Sequence, residues 1–399
     1  MRNVDFDALP DLASRALGGA VVTASDEFFA EKENLLNPEP PVFQPHTFGH
    51  KGQIYDGWET RRRRDQGYDW AIVRLGVPGV IHGVTVDTAH FTGNYPEYCS
   101  IEAASVAGYP SPEELLDEPV EWVEIVPRAE LKGDSANQFP VRLDQRFTHV
   151  RLNIIPDGGV ARLRVHGEVV TDPRWFTGLP LDLAAQANGG VVTDCSNRFF
   201  SSPNNLLMPG NARVMGEGWE TARRRGGGND WVSVRLAEEG IVRQVEIDTT
   251  HFKGNAPGWF RLTGGTDPDD EGGWIELVER TTLQPDTCHR FLVSASAPVR
   301  HVKVDVYPDG GFARLRIYGE LTASGRERIG LDWYNRLPAS RAEAVLTEEA
   351  GVTAEAAASI ASARPLAGTG SVQEAISAAG LPPETTRAVR SLLLGAQAG

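Results

Sequence analysis

The feature that most constrains this chain is that it repeats itself. Gly18-Gly19-Ala20-Val21-Val22-Thr23, followed by Phe28-Phe29 and Asn34-Leu35-Leu36, returns as Gly189-Gly190, Phe199-Phe200 and Asn205-Leu206-Leu207. Gly57-Trp58-Glu59-Thr60, Arg62-Arg63-Arg64 and Asp69-Trp70 return as Gly218-Trp219-Glu220-Thr221, Arg223-Arg224-Arg225 and Asp230-Trp231. Asp87-Thr88-Ala89-His90-Phe91-Thr92-Gly93-Asn94 is matched by Asp248-Thr249-Thr250-His251-Phe252-Lys253-Gly254-Asn255. Pro156-Asp157-Gly158-Gly159, with Arg162 and Arg164 after it, is matched by Pro308-Asp309-Gly310-Gly311, Arg314 and Arg316. Recurrence in fixed order means that one structural unit is used twice. The first copy has a longer connection before its Gly-Trp-Glu-Thr block, containing Pro40, Pro41, His46 and His50, so the two copies cannot present identical surfaces.

Between the blocks, Trp70–Leu75, Val80–Asp87, Thr148–Ile155 and Leu163–Val169 carry Val, Ile and Thr at alternate positions, which suits strands with one buried face. Short strands punctuated by Gly, Pro, Asn and Asp predict an all-β fold of two tandem jelly-roll sandwiches. The first repeat is expected over residues 1–172 and the second over 173–325. From 326 to 399 the sequence turns alanine-rich, as in Ser340–Leu346 and Ala354–Ala361, and predicts a short helical appendage.

A net charge of −15 over 399 residues argues against nucleic acid or an anionic membrane as partner, because phosphate-rich surfaces need positive potential across the footprint. The opening residues, Met1 to Asp7, lack a basic stretch followed by an apolar core, and no apolar run is long enough to span a bilayer. A cytoplasmic protein is expected. Three scattered cysteines, Cys99, Cys195 and Cys288, suggest neither a disulfide framework nor a cysteine zinc site.

A jelly roll brings no active site of its own, so chemistry must come from polar loop residues. The Gly-Trp-Glu-Thr-Arg block offers a carboxylate and guanidinium groups beside an indole, and an arginine fork suits a carboxylate or a urea-like oxygen. Its plainer alternative is a solvated basic turn. His90 and His251 follow strands and precede Gly-Asn turns, where an imidazole can act as general acid or base, against the alternative of a structural histidine bonded to backbone. Pro-Asp-Gly-Gly is foremost a turn; Arg162 and Arg164 beyond it share a strand face that could hold an anion. His46 and His50 have helical spacing among Pro and Gly, which favours a loop and makes a metal site there weak; no metal ligands are assigned. Phosphate loops, serine elbows and zincin motifs are absent.

The blocks together, from residue 15 to 322 with both copies in register, resemble the allantoicase family. The resemblance implies two jelly-roll modules, assembly as a homo-oligomer, and hydrolysis of allantoate to ureidoglycolate and urea. The chemistry of that reaction, a proton delivered to departing urea and a water attacking the carbon, points to Glu59 and His90, with Glu220 and His251 as counterparts, for acid–base work. Arg61, Arg63, Arg162, Arg223 and Arg314 would bind substrate, with Trp58, Asn94, Trp219 and Asn255 in the same blocks. No cofactor is required on this reading, and a divalent metal stays open. The tail from Trp333 to Pro338 faintly resembles the opening of ureidoimidazoline decarboxylases but has no histidine, which suggests a relic or an oligomer contact. The competing class is a non-catalytic tandem jelly roll that holds a carbohydrate or small anion on Trp58, Trp70, Trp219 and Trp231. Retention of the Arg, Glu and His residues in both copies favours the enzyme over this and over a purely structural partner.

Overall fold

A computed structural model describes residues 6–50, 52–117 and 119–395. Residues 1–5 of the expected first repeat and 396–399 of the expected tail lie outside the described residues. The described residues up to Val170, with Arg336–Arg341, form one compact unit; Thr171–Asn335 and the described residues from Ala342 onward form the second.

In the first unit the strands are β1 (Ala20–Ala24), β2 (Phe48–Gly49), β3 (Gly52–Gln53), β4 (Trp58–Glu59), β5 (Asp69–Asp87), β6 (Tyr98–Ala104), β7 (Val123–Glu130), β8 (Ala136–Pro140), β9 (Arg146–Ile155), β10 (Gly159–Val160) and β11 (Arg162–Val169), with a short helix α1 (Pro112–Asp117). One sheet runs β1-β5-β9-β6-β7, and β8 and β11 flank the far half of β5. The sequence suggests two strands over 70–87. The chain instead forms one 19-residue strand whose register shifts between Arg74 and Gly79, so β5 passes from one layer of the sandwich to the other. Gly76-Val77-Pro78-Gly79 reads as a turn, but the amides of Gly76 and Val77 donate to Leu12 O, which satisfies the backbone through the bend without ending the strand.

The second unit repeats this plan with β12 (Leu181–Asp182), β13 (Val191–Cys195), β14 (Trp219–Glu220), β15 (Asp230–Asp248), β16 (Trp259–Gly265), β17 (Ile275–Thr282), β18 (Cys288–Leu292), β19 (Val299–Tyr307), β20 (Gly311–Phe312) and β21 (Arg314–Leu321). The sheet order is β12-β21-β15-β19-β16-β17, with β13 and β18 paired to the near and far halves of β15. Burial along β15 alternates with period two up to Val242 and resumes in the other phase after a register shift between Val242 and Gln244, putting Val232, Val234, Leu236, Val242, Val245 and Ile247 into a core shared with Phe260, Val302, Val304 and Ile317. Each such side chain contributes about 1.5–3 kcal/mol by leaving water. The fold is therefore two tandem β-sandwich modules. Beyond them come α2 (Ala323–Arg336), α3 (Ala339–Ala350), α4 (Ala354–Ser362), α5 (Thr369–Ala378) and α6 (Pro383–Leu394), the helical tail that the alanine-rich composition predicts. α4 is capped by Thr353, whose hydroxyl accepts from Ala356 N, and α6 opens on Pro383.

Candidate active site

Three of the repeated blocks meet at one loop end of each unit. β10 pairs with β4, setting Gly159 opposite Glu59 and Val160 opposite Trp58; β20 pairs with β14 in the same way, Gly311 opposite Glu220 and Phe312 opposite Trp219. The loop after β5 then folds over this ladder, and Gly159 N donates to Asn94 O at 2.8 Å. The glycines permit the approach. A Cβ on Gly158, whose φ is +140°, would lie 2.7 Å from Asn94 O, and one on Gly159 would lie 2.0 Å from the Phe91 ring. Thr60 Oγ1 and Asp157 complete the weld, the first accepting from Gly158 N at 3.2 Å and the second from Arg63 N at 2.8 Å.

Within that frame Glu59 is held nearly out of solvent at 9% exposure, and Asn94 Nδ2 donates to its Oε1 at 2.7 Å. Burial raises the Glu59 carboxyl above the usual range, and the Asn94 hydrogen bond only partly offsets it. A carboxyl so placed is biased toward the acid form. The second repeat reproduces the pair, Asn255 Nδ2 donating to Glu220 Oε1 at 2.6 Å, with Met215 Sδ also 3.1 Å from Asn255 Nδ2.

His90 and His251 lie on the same loops as those asparagines, both with positive φ, 69° and 73°. Such backbone costs about 1–3 kcal/mol, and strain kept at the same histidine in both copies points to a site rather than to packing alone. The strained amides are held by Asp134 and Asp286, which accept from His90 N and His251 N at 2.8 Å. The Nε2 atoms face backbone carbonyls, Pro41 O at 3.3 Å and Ala212 O at 3.0 Å. A carbonyl only accepts, so Nε2 carries the proton and Nδ1 is left as the acceptor. Phe43, from the long connection of the first copy, stacks on the His90 ring.

Several expected ligand groups are not open to a ligand. Trp58 and Trp219 are fully buried, their Nε1 groups donating to Asp26 O and Asn197 O, so neither indole has a face for substrate or sugar; this corrects the expectation for both. Arg162 is 2% exposed. It pairs with Asp56 at 2.8 Å and donates to Glu39 O, Asp56 O and Ala161 O, which fixes the long connection. Arg314 is buried alike, bonded to Gly210 O, Glu217 O and Ala313 O. Both arginines are clamps of the wall, again a correction. Arg61 is exposed and paired with Asp26 at 2.8 Å, with Ala222 in its place in the second copy. Arg63 pairs with buried Asp69 at 2.7 Å, as Arg224 does with Asp230. Arg223 is exposed.

The sequence reading assigned no role to Phe28-Phe29 and Phe199-Phe200, although they recur. Phe29 N donates to Glu59 O, and all four rings are exposed, 42% for each of the first pair and 69% and 61% for the second. Large apolar groups left in water beside a buried carboxyl are the signal that could have marked them. Among the described residues no group of three or more His, Cys, Asp or Glu is placed to hold a metal ion; His46 and His50 are exposed in a loop. No helix among the described residues is long and apolar enough to cross a membrane.

A family model described as "Allantoicase repeat" matches residues 10–170 and again 181–322. A probable allantoicase of Nocardia farcinica is 57% identical over 318 residues, covering 79% of this chain and 95% of its own length. One from Streptomyces coelicolor is 51% identical over 338 residues, covering 82% and 89%. Among solved structures, an allantoicase of 38% identity aligns with a TM-score of 0.67 over 77% of this chain and 92% of its own. The allantoicase of Saccharomyces cerevisiae, 37% identical, aligns with the same score over 79% and 96%. With the repeat matched in both units and its motif residues gathered at one loop end of each, the chain belongs to the allantoicase family.

Proposed function

We propose that the allantoicase activity of this chain, hydrolysis of allantoate to ureidoglycolate and urea, is carried out at the loop end that bears Glu59, Asn94 and His90, with Glu220, Asn255 and His251 as the counterpart set. The observation that carries this reading is the buried, proton-biased Glu59 carboxyl held by Asn94 on the loop of the strained His90. Allantoate has one carboxylate and two ureido groups on a single carbon. In the proposed step Glu59 gives its proton to the nitrogen of the departing ureido group, and the electron pair of the breaking C–N bond leaves with urea. A water oxygen bonds to the carbon as its proton passes to Nδ1 of the histidine. The carbon then carries hydroxyl, carboxylate and one ureido group, which is ureidoglycolate.

Arg61, Arg63 and Arg223 are the arginines we propose for the substrate carboxylate, with the paired phenylalanines as an apolar rim. No cofactor enters these steps, and turnover of chelator-treated protein with and without added divalent ions tests that part. A cytosolic homo-oligomer is the proposed setting, supported by the free cysteines and by exposed Phe43, Phe48 and Ile54 on the long connection; light scattering tests the assembly. The decisive test of the site is urea release by the double variant Glu59→Gln/Glu220→Gln. Loss of an acid catalyst should cost about 10²–10⁴ in kcat. Unchanged turnover in a folded double variant would sink the assignment.

A further inference from the structure

The second unit contains a cavity of about 1250 Å³ whose wall owes little to either loop set. It is lined by Phe176, by the segment from Gly178 to Leu181, by Glu320–Thr322 at the end of β21, and by residues of α2, α5 and α6. Most of that wall falls in the linker and the tail, outside the two matched repeats, which end at 170 and 322. The repeats' own chemistry therefore does not account for it.

Three arginines face this space, Arg326 from α2 and Arg387 and Arg390 from α6. The last two are three residues apart, on one face of the helix. Among the described residues none of the three has an ion-pair partner, whereas the buried Arg162 and the half-buried Arg224 are each paired with a carboxylate. Arg390 donates to the neutral Gln373 Oε1 at 2.8 Å. Nη1 of Arg326 is buried without a hydrogen-bond partner, and its side chain packs under Gly395, where a Cβ would lie 2.4 Å from Arg326 Cγ. Burial lowers the Arg326 pKa and Asp172 only partly offsets this, as expected of a cation short of counter-charge. Two carboxylates share the wall. Glu327 is committed to the amide and hydroxyl of Thr369 at 2.9 and 3.1 Å, and Glu320 is exposed. The rest of the lining includes Phe176, Leu179, Pro180, Leu321 and Leu394. A cavity lined by these apolar side chains and by three arginines, whose forks suit an oxyanion, has the composition of a small-molecule pocket.

We propose that this cavity binds an organic oxyanion, a phosphate or carboxylate head held by Arg326, Arg387 and Arg390 on an apolar body seated against Phe176, Leu179 and Leu394. The site is separate from allantoate turnover, so its fate does not depend on the catalytic assignment. Calorimetric titration of the full chain with phenyl phosphate and with benzoate tests it, with benzyl alcohol as the neutral control. Saturable binding of either anion and none of the alcohol is expected; the two anions distinguish a phosphate head from a carboxylate. Arg387→Gln, an exposed change on α6 that leaves the packed residues alone, should weaken binding about tenfold, or about 1.4 kcal/mol. It should leave urea release unchanged. Arg326→Gln/Arg387→Gln should abolish binding. Absence of saturable binding of both anions, equal affinity in Arg387→Gln and the parent chain, or binding of benzyl alcohol as tight as that of the anions would overturn the proposal.

Discussion

Replacing Asn94 by alanine isolates the one hydrogen bond that opposes the effect of burial on Glu59. The carboxyl is 9% exposed, so water can do little to substitute for the lost donor, 2.7 Å from Oε1. A hydrogen bond to a charged group is worth about 1.5–3 kcal/mol, and 1.36 kcal/mol corresponds to one pH unit, so Glu59 should keep its proton to a pH about one to two units higher in the variant. A general acid works only while protonated. The alkaline limb of the kcat/KM profile for urea release should therefore move upward by about one to two pH units. Making the change in both copies, Asn94→Ala/Asn255→Ala, prevents an intact repeat from masking it. The same perturbation has a stability signature. Because the folded carboxyl holds its proton more tightly than the unfolded one, its contribution to stability is fully present below the unfolded value and is lost as pH rises through the folded value. The variant should be most destabilised relative to the parent chain at alkaline pH, where the charge is buried without its donor. An unmoved alkaline limb in a folded variant, or an acid limb moving in its place, would refute the acid role and leave Glu59 as a base or a structural group.

Arg162→Ala should lower stability by about 3–5 kcal/mol, because it removes the cation paired with Asp56, which keeps only Val42 N, and the donor to three carbonyls, and chemical denaturation measures it; a loss under about 1 kcal/mol would mean the clamp is not formed. Gly159→Ala should cost about 3 kcal/mol as its Cβ meets Phe91 at 2.0 Å, whereas Gly93→Ala, with nothing within 4 Å of its Cβ, should be close to neutral in thermal melts. His149, buried on β9 beside Arg74, has a pKa pushed down to about 4 by burial, with the Arg74 charge adding to it, from 6.5. The unfolded chain then binds the extra proton between those values, so stability should fall by up to about 3 kcal/mol as pH drops from 6.5 toward 4, and His149→Gln should flatten that slope.

Much of this architecture was legible because duplication supplies an internal comparison. Alternation over 148–155 and 163–169 corresponds to β9 and β11, and the tail's composition to α2–α6. The indoles of Trp58 and Trp219 were misjudged for a physical reason. β4 and β14 are two residues long, too short to display a period, so nothing in the sequence says which of Trp and Glu points inward. Arg162 and Arg164 do alternate as expected, yet the groups that occupy Arg162 come from the long connection, Asp56 lying 106 residues away. Spacing cannot reveal a partner at that separation. The continuity of β5 was hidden likewise, since the bend at Gly76–Gly79 is stabilised from outside the strand by Leu12 O.

The two copies keep the Glu–Asn pair and the strained histidine but not the surrounding charge, and this difference predicts which of them turns over allantoate. In the first, Asp26 Oδ1 accepts from Arg61 N at 2.8 Å while Oδ2 holds the Arg61 side chain; in the second, Asn197 Oδ1 accepts from Ala222 N at 3.2 Å and there is no guanidinium to hold. The turn survives as a backbone device while its cation is gone. Phe43 covers His90 in the first copy, and Asn255 shares its donor with Met215 in the second. A substrate with a carboxylate needs a cation, and beyond the exposed arginine that each copy keeps, Arg62 and Arg223, only the first copy adds Arg61, two residues after Glu59. Glu59→Gln alone should therefore remove most of the turnover and Glu220→Gln alone should leave most of it, measured as kcat for urea release in each single variant. Equal losses would mean that Arg61 is not the carboxylate's anchor, and the exposed arginines common to both repeats, Arg62 and its counterpart Arg223, would take its place.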